Sequence, residues 1–470
     1  MTPLNDAQLE QIASRLATRL GAPRPAPAEG GGIFADVDAA VRAAAVAYRR
    51  LNDKSLALRD SLIAAVRAAL RPEAEPLARL ACEETCLGRV EDKHLKNRLV
   101  IEKTPGTEAL APAALTGDHG LTLWERAPFG VIGAITPVTN PSSTIICNAI
   151  AMLAAGNSVV FNAHPHARRV GARTVRLIHR AIVEAGGPPD LVTAIAEPTI
   201  ETAQAIMGHP GVRLLAVTGG AGVVRAAMTS GKRAICAGPG NPPVVVDETA
   251  DLDQAGRDLV RGASFDNNIV CVDEKEVFVV AAAADGLLAS LRRHGALVLE
   301  PARLPQLENA VFSEIRGPRA PAAMRPELIG RDASAILARL GIPADPPPRL
   351  IAVEVEAAHP LVWTEQMMPV LPVVRVACAD EAIDLAVAAE RGFGHTAAMH
   401  SRHLGNLSRM AREIDCSIFV KNGPCFAGLG EGGEGFSSFT IASPTGEGLT
   451  GPRAFSRERR CVLVDHFRIV

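Results

Sequence analysis

The sequence predicts an α/β fold in which helices cover both faces of a parallel sheet. Three observations carry that expectation. From Pro128 onward a short apolar run, a polar loop and a helical stretch recur in that order. Apolar runs of strand length fall at 129–135, 158–161, 191–195 and 213–217. The helical stretch at 142–155 stops at Gly156, a residue suited to a helix C-terminus.

Taken in order, residues 5–20 read as a short amphipathic helix, with Leu9, Ile12, Ala13, Leu16 and Leu20 on one face. Asn5 with Gln8 resembles a capping box. Residues 21–32 are rich in Pro and Gly and read as a linker. A helix on such a tether is expected to dock on another protein; the alternative is a first helix folded back onto the domain. Asp6 and Glu10 argue against a mitochondrial presequence. Residues 34–70 are expected to be helical, with Val37, Val41, Ala45, Tyr48 and Leu51 on one face, and further helices follow through 79–99. The segments 117–127 and 460–464 look like strands outside the core and predict an intersubunit ribbon. The helix 142–155 follows the loop 136–141, a long helix runs to Ala185, and another opens at Val223. Further strands are expected at 244–246, 277–281, 350–355 and 373–376, with 301–319 and 343–348 as connections.

Composition narrows the function. A chain of 470 residues has room for about three domains. Its hydrophobic fraction is 48% but its aromatic fraction only 3%, so cores must be built from Ala, Val, Leu and Ile. With a net charge of −2 and no basic stripe or polybasic run, nucleic acid and anionic membranes are not expected partners. Nine cysteines without a spacing framework read as reduced thiols in a cytoplasmic compartment. There is no CxxC pair or HExxH segment to suggest a metal. The longest apolar stretch, 144–156, carries Asn148 and is too short to span a bilayer, and there is no secretory signal.

In parallel sheets ligands bind at the loops that follow the strands. Asn140, Asn162, His164 and Thr218 lie there. The turn Thr218-Gly219-Gly220-Ala221-Gly222 does not complete a GxGxxG fingerprint, and Gly231-Lys232 is not a P-loop. A glycine-rich turn opening a helix can offer amides to a pyrophosphate; ordinary turn chemistry explains it equally well. The connection 264–275 places Cys271 between a helical pattern at 252–262 and a strand at 276–280, flanked by polar residues. Such a cysteine is either a nucleophile or a small buried hydrophobe. The glycines from Gly428 to Gly435 suit close approach to a ligand or subunit, or a flexible loop.

Several segments together resemble the aldehyde dehydrogenase superfamily, and within it the CoA-acylating acetaldehyde and propionaldehyde dehydrogenases of bacterial microcompartments. They are 128–133 with 136–141, Asn267-Asn268-Ile269-Val270-Cys271, Ala237-Gly238-Pro239-Gly240-Asn241, and 432–435 with 444–448. The resemblance spans nearly the whole chain. It implies two Rossmann-like parallel β/α domains and a β-ribbon for oligomerisation, with 33–240 binding cofactor, 241–435 catalytic, and 436–470 adding a ribbon strand to 106–127. It implies that Cys271 is the nucleophile and that Asn140 supplies the oxyanion hole together with the Cys271 amide. It places NAD on Thr136, Pro137, Val138, Thr139, Asn162, His164, Pro165, Thr218, Gly219, Gly220 and Glu365, with Glu365 on the nicotinamide ribose. Asn162 stands where many relatives carry a lysine. The implied partners are a short-chain aldehyde, coenzyme A, further copies of the chain as dimer or tetramer, and microcompartment shell or cargo proteins reached through residues 1–20.

One departure is informative. Hydrolytic relatives carry a glutamate base in an E-L-G-G-K segment, and here that position falls on Cys236, or on Ala237 one residue along. Neither can activate water as a carboxylate does, which leaves an acyl thioester for the CoA thiol. The competing readings are a hydrolytic aldehyde dehydrogenase, a Cys–His hydrolase or acyltransferase using His164, His166 or His395, and an inactive scaffold.

Overall fold

The structure, a computed structural model, describes residues 30–470. The amphipathic segment 5–20 and the linker up to residue 29 lie outside the described residues. Two parallel sheets form the body. The first has six strands in the order Ile33–Phe34, Val192–Ile195, Ser158–Asn162, Val131–Ile135, Leu214–Thr218 and Ala234–Ala237. The second has seven, in the order Ala296–Leu299, Leu350–Glu354, Val370–Val376, Glu276–Val280, Pro243–Val246, Thr396–His400 and Ile418–Lys421. The central strands of both are buried along their whole length, so their apolar residues run continuously instead of alternating with polar ones. A three-stranded antiparallel ribbon, Ala113–Gly117, Gly120–Pro128 and Ser456–Val464, stands apart from them.

The helix Pro141–Ala154 is buried at every position. It sits between the sheet and the helices Leu56–Leu70 and Val90–Lys103, so it has no solvent face and no need of amphipathic patterning. Pro141 opens it, where a missing N–H costs nothing, and Gly156 at φ +83° closes it. The terminal segment also returns to this core: Phe426, Leu429, Phe439, Ile441 and Phe455 pack with Ile145, Met152 and Leu153.

Two expectations need correction. Residues 34–70 are not one helix. Ile33–Phe34 forms an edge strand, Asp36 caps the N-terminus of the helix Val37–Asn52, and a break at 53–55 separates that helix from Leu56–Leu70, which Ser55 caps. Residues 301–319 are not simply a connection, since Leu304–Val311 is helical; Pro305 falls in its first turn, where it is tolerated.

Candidate active site

The connection that carries Cys271 is built from the inside by its own polar residues. Asp266, Asn267 and Asn268 are all in the left-handed region, at φ +45°, +56° and +64°, which Asp and Asn tolerate better than most residues. Asn268 Nδ2 donates to the carbonyls of Ala263 and Glu274, both at 2.9 Å. Asp273 Oδ2 accepts from the Val270 amide at 3.0 Å. Gly240 lies so close beneath that a Cβ there would sit 2.7 Å from the Cys271 carbonyl oxygen, so only glycine fits.

The Cys271 side chain borders a cavity of about 860 Å³ between the two sheets. Thr136, Pro137, Val138, Thr139 and Asn140 line it from the connection after Val131–Ile135. Asn162, His164 and Pro165 line it from the connection after Ser158–Asn162. Thr218, Gly219 and Gly220 close it at the head of the helix Ala221–Met228, and Glu365 enters from the second sheet's side. Every residue expected at the site therefore faces one space.

Their surroundings differ in detail. Asn162 is occupied: its Oδ1 accepts from Thr202 Oγ1 at 2.7 Å and its Nδ2 donates to the Thr199 carbonyl at 3.3 Å. Thr199 and Thr202 form a capping box at the start of Ile200–Gly208. Among the described residues no Lys or Arg lines the cavity. His164 Nδ1 accepts from the His166 amide at 3.1 Å, and burial followed by the neighbouring His166 holds the His164 imidazole below its ordinary pKa. Thr136 Oγ1 is buried without a partner, a polar atom that a ligand in the cavity would satisfy. Gly220 has no side chain to cap the first turn of its helix, which leaves amides there for an anionic group. These features fit a dinucleotide.

Burial, then the charges of Glu365 and Asp273, push the Cys271 thiol up to about 12, against a smaller opposing effect of Lys275. This is opposite to the lowered pKa of an activated nucleophile. Burial likewise raises Glu365.

Cys236 and Ala237, the positions that the motif match gives to the hydrolytic base, lie apart from the cavity. Cys236 is fully buried in the core beside Val160, Val217 and Val224, and neither residue lines the cavity; Gly238 and Pro239 do. A side chain on the interior of the strand Ala234–Ala237 cannot serve the site. His395 is also buried, with Nδ1 on Thr396 Oγ1 at 2.9 Å and Nε2 without a partner, and it does not line the cavity either. Sequence reading missed Lys96, which donates to Asn140 Oδ1 at 2.6 Å. Its helix, Val90–Lys103, reads as a polar, solvated one, and nothing in its pattern marks Lys93 and Lys96 as buried.

Comparison with known proteins adds to this geometry. The model of the aldehyde dehydrogenase family matches residues 32–298. The acetylating acetaldehyde dehydrogenase EutE of Escherichia coli (strain K12) is 51% identical over 471 residues, covering 99% of this chain and 100% of that protein. A solved propionaldehyde dehydrogenase of Rhodopseudomonas palustris, with bound CoA and an acylated cysteine, is 48% identical with a TM-score of 0.90, over 93% of this chain and 99% of that one. A propionaldehyde dehydrogenase from the fucose utilisation microcompartment of Clostridium phytofermentans is 45% identical with a TM-score of 0.90, over 93% and 100%.

Proposed function

This chain belongs to the aldehyde dehydrogenase family, and from there we propose that it is a CoA-acylating enzyme converting a short-chain aldehyde, CoA and NAD to acyl-CoA, NADH and a proton. The observation that carries the proposal is the meeting of Cys271, Asn140 and Glu365 in one cavity whose wall, at the hydrolytic base segment, is Gly238 and Pro239. In this reading the Cys271 sulfur adds to the aldehyde carbon, and its thiol proton leaves. The Asn140 amide and the Cys271 backbone N–H hold the developing oxyanion; one such donor is typically worth about 2.7–4 kcal/mol. Bound NAD would supply the hydride acceptor. Thr136, the loop through Thr139, Asn162, His164, Pro165 and the Thr218–Gly220 turn would hold it, with Glu365 at its nicotinamide ribose. The acyl group remains on Cys271 as a thioester until the CoA thiol displaces it, which returns the cysteine.

Steady-state assays of short aldehydes with NAD or NADP, each with and without CoA, test the proposal. The expected product is acyl-CoA in proportion to NADH; free acid without CoA dependence would instead make the enzyme hydrolytic, and no NADH at all would favour a Cys–His acyltransferase. The same reading divides the chain into a cofactor-binding part to residue 240 and a catalytic part beyond it. It also gives the enzyme a homo-oligomeric assembly. The outer edge of Ser456–Val464 has no strand partner among the described residues, and it exposes Val462, Leu463 and Val464. Residues 1–20 would carry it to shell or cargo proteins of a microcompartment, the setting of its Clostridium relative. Among the described residues no helix is long and apolar enough to cross a membrane.

A further inference from the structure

We infer that Lys96 is a positioning residue for the reaction: its buried ammonium fixes the Asn140 side chain with the amide nitrogen turned into the cavity. The inference rests on the acyl-transfer reading of the site. Lys96 comes from the helix Val90–Lys103 and is 2% exposed. Its Nζ donates to Asn140 Oδ1 at 2.6 Å, to Asp266 Oδ2 through a short hydrogen bond, and to the Thr139 carbonyl at 3.5 Å. Lys93, one turn earlier on the same face, donates to Asp266 Oδ2 at 2.9 Å and to the Thr139 carbonyl at 3.0 Å, but not to Asn140.

An ammonium carries donors and no acceptor, so only the oxygen of the Asn140 amide can face it. The nitrogen is then left at the other end. Among the described residues its partner is the adjacent Thr139 Oγ1, at 3.2 Å. Asn140 is also the residue that precedes the first turn of Pro141–Ala154, yet its side chain makes no capping bond. It has been taken from the helix end and given to the lysine. Without that cation the two amide orientations would differ little in energy, and the wrong one would aim an oxygen at a developing oxyanion. A positive charge on the amide oxygen also polarises the N–H bonds and strengthens them as donors.

The anchor is itself built in. Asp266 is fully buried, and its Oδ1 accepts the Arg89 amide at 2.7 Å. Gly88 is obligatory beside it, since a Cβ there would meet that oxygen. Two lysine ammoniums share this one carboxylate behind Asn140. Burial lowers the Lys96 pKa to about 8, and the Asp266 charge opposes that shift, so the amine remains mostly protonated at neutral pH.

The test is a double-mutant cycle. Lys96→Met should lower kcat about 10- to 100-fold, the usual effect of losing a hydrogen bond to a charged group, with NAD affinity unchanged. In an Asn140→Ala background the same change should lower it no further, because Lys96 acts through Asn140. Lys93→Met, which removes the same charge from the same face, should have a much smaller effect. Full additivity with Asn140→Ala, or a Lys96→Met enzyme like wild type, would overturn the inference. If Lys96→Met does not fold, Lys96→Gln keeps a donor without the charge. Its loss, roughly three- to tenfold, should again vanish in Asn140→Ala. A crystal structure of the folded variant reads the positioning whatever the reaction proves to be: the Asn140 amide should rotate away from the cavity, and an unmoved amide counts against the role.

Discussion

Lys275 Nζ donates to both the backbone carbonyl and the side-chain oxygen of Asn268, at 2.8 and 2.6 Å, three residues before Cys271. The ammonium is fully buried and holds Asn268 in its left-handed conformation. Lys275→Met should therefore cost roughly 2–4 kcal/mol, as two buried oxygens lose their donor. Thermal denaturation would read that loss. Hydrogen exchange should show it concentrated in 264–275; a melt like wild type would mean the loop is held by its other bonds alone.

The Cys271 thiol is raised to about 12 by burial and then by the charges of Glu365 and Asp273. Iodoacetamide should accordingly label the exposed Cys86, Cys378 and Cys461 before Cys271. Glu365→Gln removes the leading opposing charge and should speed Cys271 alkylation about three- to tenfold at pH 8. Peptide mapping with time measures both rates. Cys271→Ala should abolish acyl-enzyme formation and leave NAD binding intact.

Cys236→Glu is the substitution that motif alignment suggests for creating a hydrolytic enzyme. Its site is a closed apolar core, so a carboxylate there should destabilise the protein by roughly 3 kcal/mol or more. The ratio of free acid to acyl-CoA should not rise. A stable variant with increased hydrolysis would show that this position does reach the cavity.

His400 is 2% exposed and burial lowers its pKa to about 4, with a smaller opposing effect of Asp258. Between the unfolded value near 6.5 and that folded value, only the unfolded chain takes up the proton. His400 therefore subtracts stability as pH falls through this window, by about 1.4 kcal/mol per pH unit at most. Asp273, Glu274 and Glu276, raised by burial, act in the opposite sense, so the histidine must be isolated by difference. Urea midpoints of wild type and His400→Asn at pH 7 and pH 4.5 should diverge in that direction. Parallel pH dependences would assign the slope elsewhere.

Deleting residues 1–29 should leave kcat unchanged, since none of the proposed site residues lies there. The same deletion should release the enzyme from purified microcompartments, and Leu16→Glu should do so in the full chain. Loss of activity with retention in compartments would make the segment part of the folded core.

The sequence by itself determined the parallel α/β architecture, because strand-length apolar runs separated by helical stretches have few other ways to bury themselves. It also singled out Asn140 and Cys271 by their positions in connections of the β/α pattern, and Glu365 through the resemblance to the family; all three line one cavity. Tertiary structure alone decided which polar residues were inside. Lys93 and Lys96 lie 173 and 170 residues from Asp266 in the sequence, and their burial depends on mutual neutralisation, a property of contact that no local pattern encodes. It decided equally that Cys236 points into a core and not at the substrate, because on a strand buried on both faces the sequence does not say which side borders the cavity.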